Sequence, residues 1–191
     1  MRLLSLTVSI TALTLAGCVS VLPEPERPDA LYRIAAMSNP VEISSTIMVR
    51  EPEAPQIMSG RAMVREDMSG AMRLIPSVEW AGRSTRLMQL ALVDSLVGEA
   101  GGAVLPEAGA QALYELSTRI STVGFVRNDA VCEATVTLID ARTRNVVTRG
   151  QVATRLTDQV NDPASTLKRV SETCVAEIAA FVESALSDEI S

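Results

Sequence analysis

The chain has 191 residues, of which 47% are hydrophobic, and its 23 acidic side chains outnumber its 17 basic ones to give a formal net charge of −6. A negative field opposes nucleic acid and other polyanions, so the charge excludes a role that follows phosphate backbones. The sequence contains no histidine, which excludes Ser-His-Asp and Cys-His catalytic sites and the HExxH zinc site.

The N-terminus carries one arginine and then an apolar run over residues 3–16. This run is shorter than the roughly 20 residues of a membrane-spanning helix, but it has the length of the apolar part of a signal peptide. The following sequence LAGC, which ends at Cys18, resembles the lipobox of bacterial lipoproteins. The resemblance implies that a peptidase removes residues 1–17 and that lipid is attached to the Cys18 sulfur. An ordinary secretory signal or a short anchor is the alternative.

A proline-rich segment follows the predicted lipid attachment site. Residues 18–30 contain Pro23, Pro25 and Pro28, which favour an extended and poorly packed backbone. In polyproline II form this tether would hold a domain up to roughly 35–40 Å from the lipid; a spacer without a set reach is equally compatible with the composition. The folded domain is predicted over residues 31–191, and no later run is apolar for long enough to span a membrane.

Short β-strand patterns and one helix pattern fill the first half of the domain. The helix is predicted within Trp80–Glu99, where apolar residues recur at spacings of three and four, and residues 51–60 are predicted to be a loop. Turn-forming residues bound each predicted strand. The predicted strands are residues 31–37, 45–51, 61–66 and 72–78.

The second half of the domain predicts an antiparallel meander and a closing helix. Alternating runs over residues 112–126, 130–141 and 145–157 are joined by short polar turns. Asp162 is expected to cap the last helix, with Pro163 at its first position. The fold class is therefore α+β: a single domain with a mostly antiparallel mixed sheet, a three-strand C-terminal meander and two main helices packed on the sheet.

Motifs for catalysis or cofactor binding are absent from the sequence. There is no GxxxxGK[ST] motif, and the glycines of residues 98–102 close a helix instead of opening one. Met63, Met68 and Met72 are the closest methionines, but without histidine their flexible side chains predict packing and not a copper site. We therefore expect no metal, no cofactor and no enzymatic activity.

Cys132 and Cys174 are the two cysteines that remain once Cys18 carries lipid. An even number of thiols in an oxidising compartment favours a disulfide, and both lie on predicted buried faces, one on a strand and one on the last helix. Two buried thiols that never meet are the alternative, because cysteine is often simply a core residue.

The order of these segments resembles the ABC-type transport auxiliary lipoprotein family, which includes lipoproteins of mammalian-cell-entry (MCE) systems. The resemblance runs from Leu31 through the mature chain. The sequences that carry it are LYRI at residues 31–34, EWAGRSTRLMQLALVDSL at 79–96 and the meander with LIDARTRNVV at 138–147.

This resemblance implies a non-catalytic partner of an MCE-domain protein with an associated permease and ATPase, which together move phospholipid or other hydrophobic molecules across the envelope. It implies attachment to the membrane through the N-terminal lipid and allows a homo-oligomer. Val19 after Cys18 points, by the sorting rule of enteric bacteria, to the inner leaflet of the outer membrane, facing the periplasm. Trp80, Arg83 and Arg86 are a candidate partner-contact patch; the alternative is that Trp80 caps the core beside the start of a helix and that the two arginines simply face solvent. A lipid-binding chaperone and a structural envelope-assembly lipoprotein are the alternatives.

Overall fold

The computed structural model describes residues 27–99, 101–157 and 162–189. The predicted signal peptide, Cys18 and most of the predicted tether lie outside the described residues. The ten strands of this part of the chain are β1 (Ala30–Tyr32), β2 (Val41–Glu42), β3 (Thr46–Val49), β4 (Ala62–Glu66), β5 (Met72–Trp80), β6 (Leu96–Val97), β7 (Gly102–Val104), β8 (Tyr114–Val126), β9 (Asp129–Asp140) and β10 (Val146–Thr157).

The predicted meander is confirmed, with β8, β9 and β10 pairing antiparallel along nearly their whole lengths. Alternation along β9 places small and branched apolar side chains on one face, where they are almost fully buried: Cys132, Ala134, Val136 and Leu138. Thr135 and Thr137 point to the opposite face and are only partly buried. The meander therefore has one core face and one polar face.

The remaining strands join the meander through β8, whose free edge is shared by two partners. β3 pairs parallel with the start of β8, and β4 pairs parallel with its end. β7 extends the sheet beyond β3, while β5 and then β1 extend it beyond β4. The sheet is thus mixed, and the predicted predominance of antiparallel pairs is only partly right, because β1, β3 and β4 each have a parallel partner that is distant in sequence. The predicted strand at residues 31–37 is also shorter, since β1 ends at Tyr32.

Two long helices cover the sheet. α3 (Pro163–Glu189) packs on β9 and β10 and also contacts α2 (Ser84–Ser95). Its start is as predicted, since the Asp162 carboxylate accepts a 3.1 Å hydrogen bond from the Ser165 backbone N–H. Gly150 of β10 lies directly under the ring of Phe181, where any side chain would collide with the ring.

The helix bounds differ from the sequence prediction in two places. Trp80 ends β5, and three residues separate it from α2, so the predicted helix of residues 80–99 is confirmed only in its middle. The predicted loop of residues 51–60 contains a one-turn helix, α1 (Gln56–Ser59). Of the helices in the described ranges, none combines the length and apolar character needed to cross a bilayer.

Candidate functional site

A charged cleft of about 530 Å³ opens where β3 ends and α2 begins. Its walls come from the segment after β3, from the first turns of α2, from a short 3₁₀ helix at Pro106–Ala108 and from the start of β8. We call this site the charged cleft; the residues that line it are Arg50, Glu51, Glu53, Arg86, Gln89, Pro106, Glu107, Glu115 and Ser117.

Glu115 is the most buried carboxylate of the charged cleft, with a side chain only 10% exposed. One of its oxygens, Oε2, accepts hydrogen bonds from Arg50 Nη2 and Arg144 Nη1, each at 2.9 Å. The Arg50 hydrogen bond, with a smaller contribution from Arg144, holds the pKa of Glu115 below its ordinary value despite burial. Glu115 is therefore a fixed anion that orders two arginines, and it is not a proton donor at neutral pH.

Replacing Glu115 with glutamine is expected to destabilise the fold at pH 7 by about 1–2 kcal/mol, because two half-exposed arginines then lose their shared carboxylate. A depressed folded-state pKa contributes stability above the unfolded pKa, near 4.5, and loses it as pH falls through the folded value. The difference between the wild type and Glu115→Gln in urea unfolding should therefore shrink below about pH 4. A difference that stays constant from pH 7 to pH 3 would contradict this role.

The two predicted contact arginines, Arg83 and Arg86, lie at the start of α2 and are held by ion pairs. Arg83 Nη2 lies 2.8 Å from Glu51 Oε2, and Arg83 remains largely exposed. The other oxygen of Glu51 accepts a 2.6 Å hydrogen bond from the Thr85 hydroxyl. Arg86 donates to Glu107 Oε1 at 2.5 Å. Carboxylates from other segments thus position both guanidinium groups: Arg86 lines the charged cleft, and Arg83 lies beside it through its ion pair with the lining residue Glu51.

Trp80 does not belong to an exposed patch with these arginines, contrary to the prediction. Its side chain is 2% exposed and forms part of the hydrophobic core. The backbone explains the position: Trp80 ends β5, its N–H donates to the carbonyl of Arg61 at 2.7 Å, and it lies opposite Tyr32 in the parallel ladder. The alternation of β5 turns this ring inward, which leaves the exposed Arg83 and the half-buried Arg86 as the accessible members of the patch.

Cys132 and Cys174 face each other across the interface between β9 and α3. Their sulfurs are paired, their Cα atoms lie 6.2 Å apart, and both residues are fully buried. This Cα separation lies within the range that disulfides span. The pair joins the last helix to the middle strand of the meander.

The described ranges contain no group of three or more histidine, cysteine, aspartate or glutamate side chains that could bind a metal ion. Two of the methionines noted in the sequence are separated by their surroundings, because Met63 is fully buried and Met68 is exposed at a turn. The carboxylates Glu51, Glu107 and Glu115 are each paired with an arginine. The charged cleft therefore presents fixed charges of both signs.

Sequence reasoning missed the cluster of Arg50, Glu115 and Arg144, although each residue lies at a recognisable place. Glu115 interrupts the start of an alternating strand, and Arg144 lies in the turn between β9 and β10. A carboxylate within such a strand requires a partner when it is buried. The partner Arg50 is 65 residues away in the chain, and only the parallel pairing of β3 with β8 brings it close.

Comparisons with known proteins place the chain among envelope lipoproteins. Residues 31–179 match the family described as ABC-type transport auxiliary lipoprotein component. The fold is similar to that of protein XCC0632 from Xanthomonas campestris, of family DUF330, with 12% identity, a TM-score of 0.69 and coverage of 85% of this chain and 97% of that one. It is also similar to an uncharacterized protein, with 14% identity, a TM-score of 0.61 and coverage of 86% and 100%. No curated protein matches the sequence significantly.

Proposed function

This chain belongs to the family of ABC-type transport auxiliary lipoprotein components, and from that premise we propose that it is a non-catalytic, lipid-anchored periplasmic component of an MCE-type ABC system. In this role it binds an MCE-domain protein whose permease and ATPase move phospholipid or another hydrophobic molecule across the envelope. Membership of a lipoprotein family gives the chain a cell-envelope location. The proposed anchor is lipid on Cys18, and the proposed membrane is the outer one, with the domain facing the periplasm.

The observation that supports this proposal most directly is the charged cleft. Arg83 and Arg86 project from the start of α2 while carboxylates hold them in place, so little side-chain freedom is lost when a partner binds. Arginine is enriched at protein interfaces, and complementary charge governs the rate and specificity of association. The cleft is lined chiefly by charged and polar side chains, which suits a protein surface better than an acyl chain.

Site-specific photo-cross-linking tests the proposal. A photoreactive phenylalanine analogue at residue 53, an exposed position that lines the charged cleft and leaves both arginines in place, should give, in cells, an adduct that contains an MCE-domain protein. The same analogue at Glu177, an exposed position of α3, is the matched control and should give none. Absence of an MCE adduct at residue 53, with the lipoprotein correctly localised, would contradict the proposal. A gene neighbourhood without permease, ATPase and MCE genes would favour a structural envelope role.

A second candidate function, direct lipid binding, is favoured by a different groove. This groove of about 740 Å³ lies between residues 35–39 and α3, and its lining includes Met37, Leu156 and Ala176. Its volume is within the range of small-molecule sites, although Lys168 and Glu172 form an ion pair at its edge. Lipid that remains bound to the purified protein in native mass spectrometry would support a carrier role; protein without bound lipid would support the docking role.

A further inference from the structure

The N-terminal end of the described chain leaves the domain along β5. β1 pairs parallel with β5, with Ala30 opposite Val78, and the Asp29 N–H donates to the carbonyl of Ser77 at 2.7 Å. Pro28 and Arg27 continue in the same direction and lie in a groove with Leu74 and Ile75. Followed toward its N-terminus, the chain therefore runs toward the start of β5, where the turn between β4 and β5 lies.

The same end of the sheet exposes apolar side chains. Met68, in the β4–β5 turn, is 86% exposed, and Leu74, near the start of β5, is 60% exposed. We call residues 67–74 the β4–β5 tip. An exposed apolar side chain alone is ordinary, but here two of them lie beside the segment that leads to the predicted lipid attachment site.

The β4–β5 tip is an ordered structure. The Asp67 carboxylate accepts hydrogen bonds from the backbone N–H groups of Ser69 and Ala71, at 2.8 and 3.2 Å, and from Arg73 Nε at 2.7 Å. Gly70 has a φ of 83°, which completes the turn. Met68 thus lies in a turn whose backbone is already fixed. Insertion of its side chain into a bilayer would therefore cost little conformational entropy of the backbone.

The length of the tether limits how far the tip can be from the lipid. Cys18 and Arg27 are nine residues apart, which span at most about 32 Å when fully extended. Arg27, the first described residue of the tether, lies in the same groove as Ile75. This point is only about 15–20 Å along the sheet from the Met68 turn. A domain held this closely at the start of β5 can bring its β4–β5 tip to the bilayer without unfolding any strand.

Local charge also differs from that of the whole molecule. The β8–β9 turn lies at the same end, because Glu66 of β4 pairs with Val126 of β8, and it contributes Arg127. Arg65 lies on β4 over the ring of Phe125. Carboxylates also lie at this end, and two of them are neutralised by arginines, Asp67 by Arg73 and Asp129 by Arg155. Against the remaining Glu66, the exposed apolar side chains therefore have arginines beside them that can rest on lipid headgroups.

We propose that the β4–β5 tip is a membrane-contact surface, with Met68 and Leu74 inserted among the lipid headgroups of the bilayer that holds the acylated Cys18. The inference rests on the proposed lipid anchor. It orients the domain, because the charged cleft includes Glu115 at the start of β8, roughly 40 Å of strand away from the end that pairs with β4. The partner-contact site then faces away from the membrane.

Environment-sensitive fluorescence of the acylated full-length protein in phosphatidylethanolamine–phosphatidylglycerol vesicles tests the orientation. An NBD dye is attached through Met68→Cys, or through Leu113→Cys as the matched control, since Leu113 is similarly exposed at 63% but lies at the opposite end of β8. Intact mass spectrometry first establishes acylation of Cys18. We expect NBD emission at residue 68 to shift to the blue and to rise at least twofold on reconstitution, and emission at residue 113 to stay unchanged.

Each outcome of this experiment has a definite meaning. Water-like emission at both positions, or an equal shift at both, would overturn the proposed orientation even when Cys18 is acylated. Missing acylation would instead overturn the lipid anchor on which the proposed function depends. Quenching of the residue 68 dye by lipids brominated near the headgroup, without quenching at residue 113, would further support contact at the β4–β5 tip.

Discussion

Reduction of the Cys132–Cys174 pair is expected to lower the free energy of unfolding by about 4 kcal/mol. The two cysteines are 42 residues apart in sequence, and the chain-entropy estimate for closing a loop of that length gives this magnitude. The loss would be a large fraction of the roughly 5–15 kcal/mol that stabilises a typical domain. Urea unfolding of the oxidised protein, with and without a reductant, measures the effect at constant sequence.

The double variant Cys132→Ala/Cys174→Ala is the control for this measurement. Its unfolding midpoint should already be low and should not move when reductant is added. Thiol labelling of the denatured but unreduced wild-type protein gives an independent check, because a pair joined in the cell leaves neither sulfur reactive. Two labelled thiols under those conditions would show that the pair does not form.

Replacement of Trp80 by alanine is expected to destabilise the domain by about 3–5 kcal/mol, which is the usual cost of removing a large aromatic side chain from a core. The ring is 2% exposed at the end of β5, so its loss leaves a cavity in the hydrophobic core. Thermal or urea unfolding followed by far-UV circular dichroism measures the change. Trp80→Phe should recover much of the loss, because it restores most of the ring.

This result distinguishes a core role for Trp80 from a contact role. A core residue loses stability in the absence of any partner, whereas a contact residue loses binding while the isolated domain stays intact. Arg83→Ala is the comparison, since Arg83 is exposed and its loss should change the free energy of unfolding by less than about 1 kcal/mol. An unchanged unfolding midpoint for Trp80→Ala would restore Trp80 to the contact patch.

The meander was predictable because its contacts are local. Its strands follow one another through short turns, and β9 alternates over residues 132–138, so the pattern of β9 alone defines which face contains Cys132 and Leu138. The parallel partners of β8 were not predictable, since β3 and β4 are short and their pairing depends on contacts between distant parts of the chain. Alternation reports which side of a strand is buried, and it carries no information on the direction of the neighbouring strand.

The candidate site shows the same difference between contacts within one segment and contacts between distant segments. Arg83 and Arg86 lie in one short segment and could be proposed as contact residues from the sequence, whereas Glu115 with Arg50 and Arg144 required three segments to meet. For Trp80 the sequence left a contact role and a place in the core open, because the predicted helix of residues 80–99 did not define which way the ring points. Since Trp80 is instead the last residue of β5, strand alternation decides where its ring points.

The parallel pairing of β1 with β5 has a mechanical consequence. The tether leaves β1 nearly parallel to the strand axis, toward the start of β5, so tension applied through the proposed lipid anchor would act along the strands. The backbone hydrogen bonds between β1 and β5 would then be loaded together in shear, whereas a pull across the strands would load them one after another. Three paired residues, Ala30, Leu31 and Tyr32, would therefore resist such a pull better than their small number suggests.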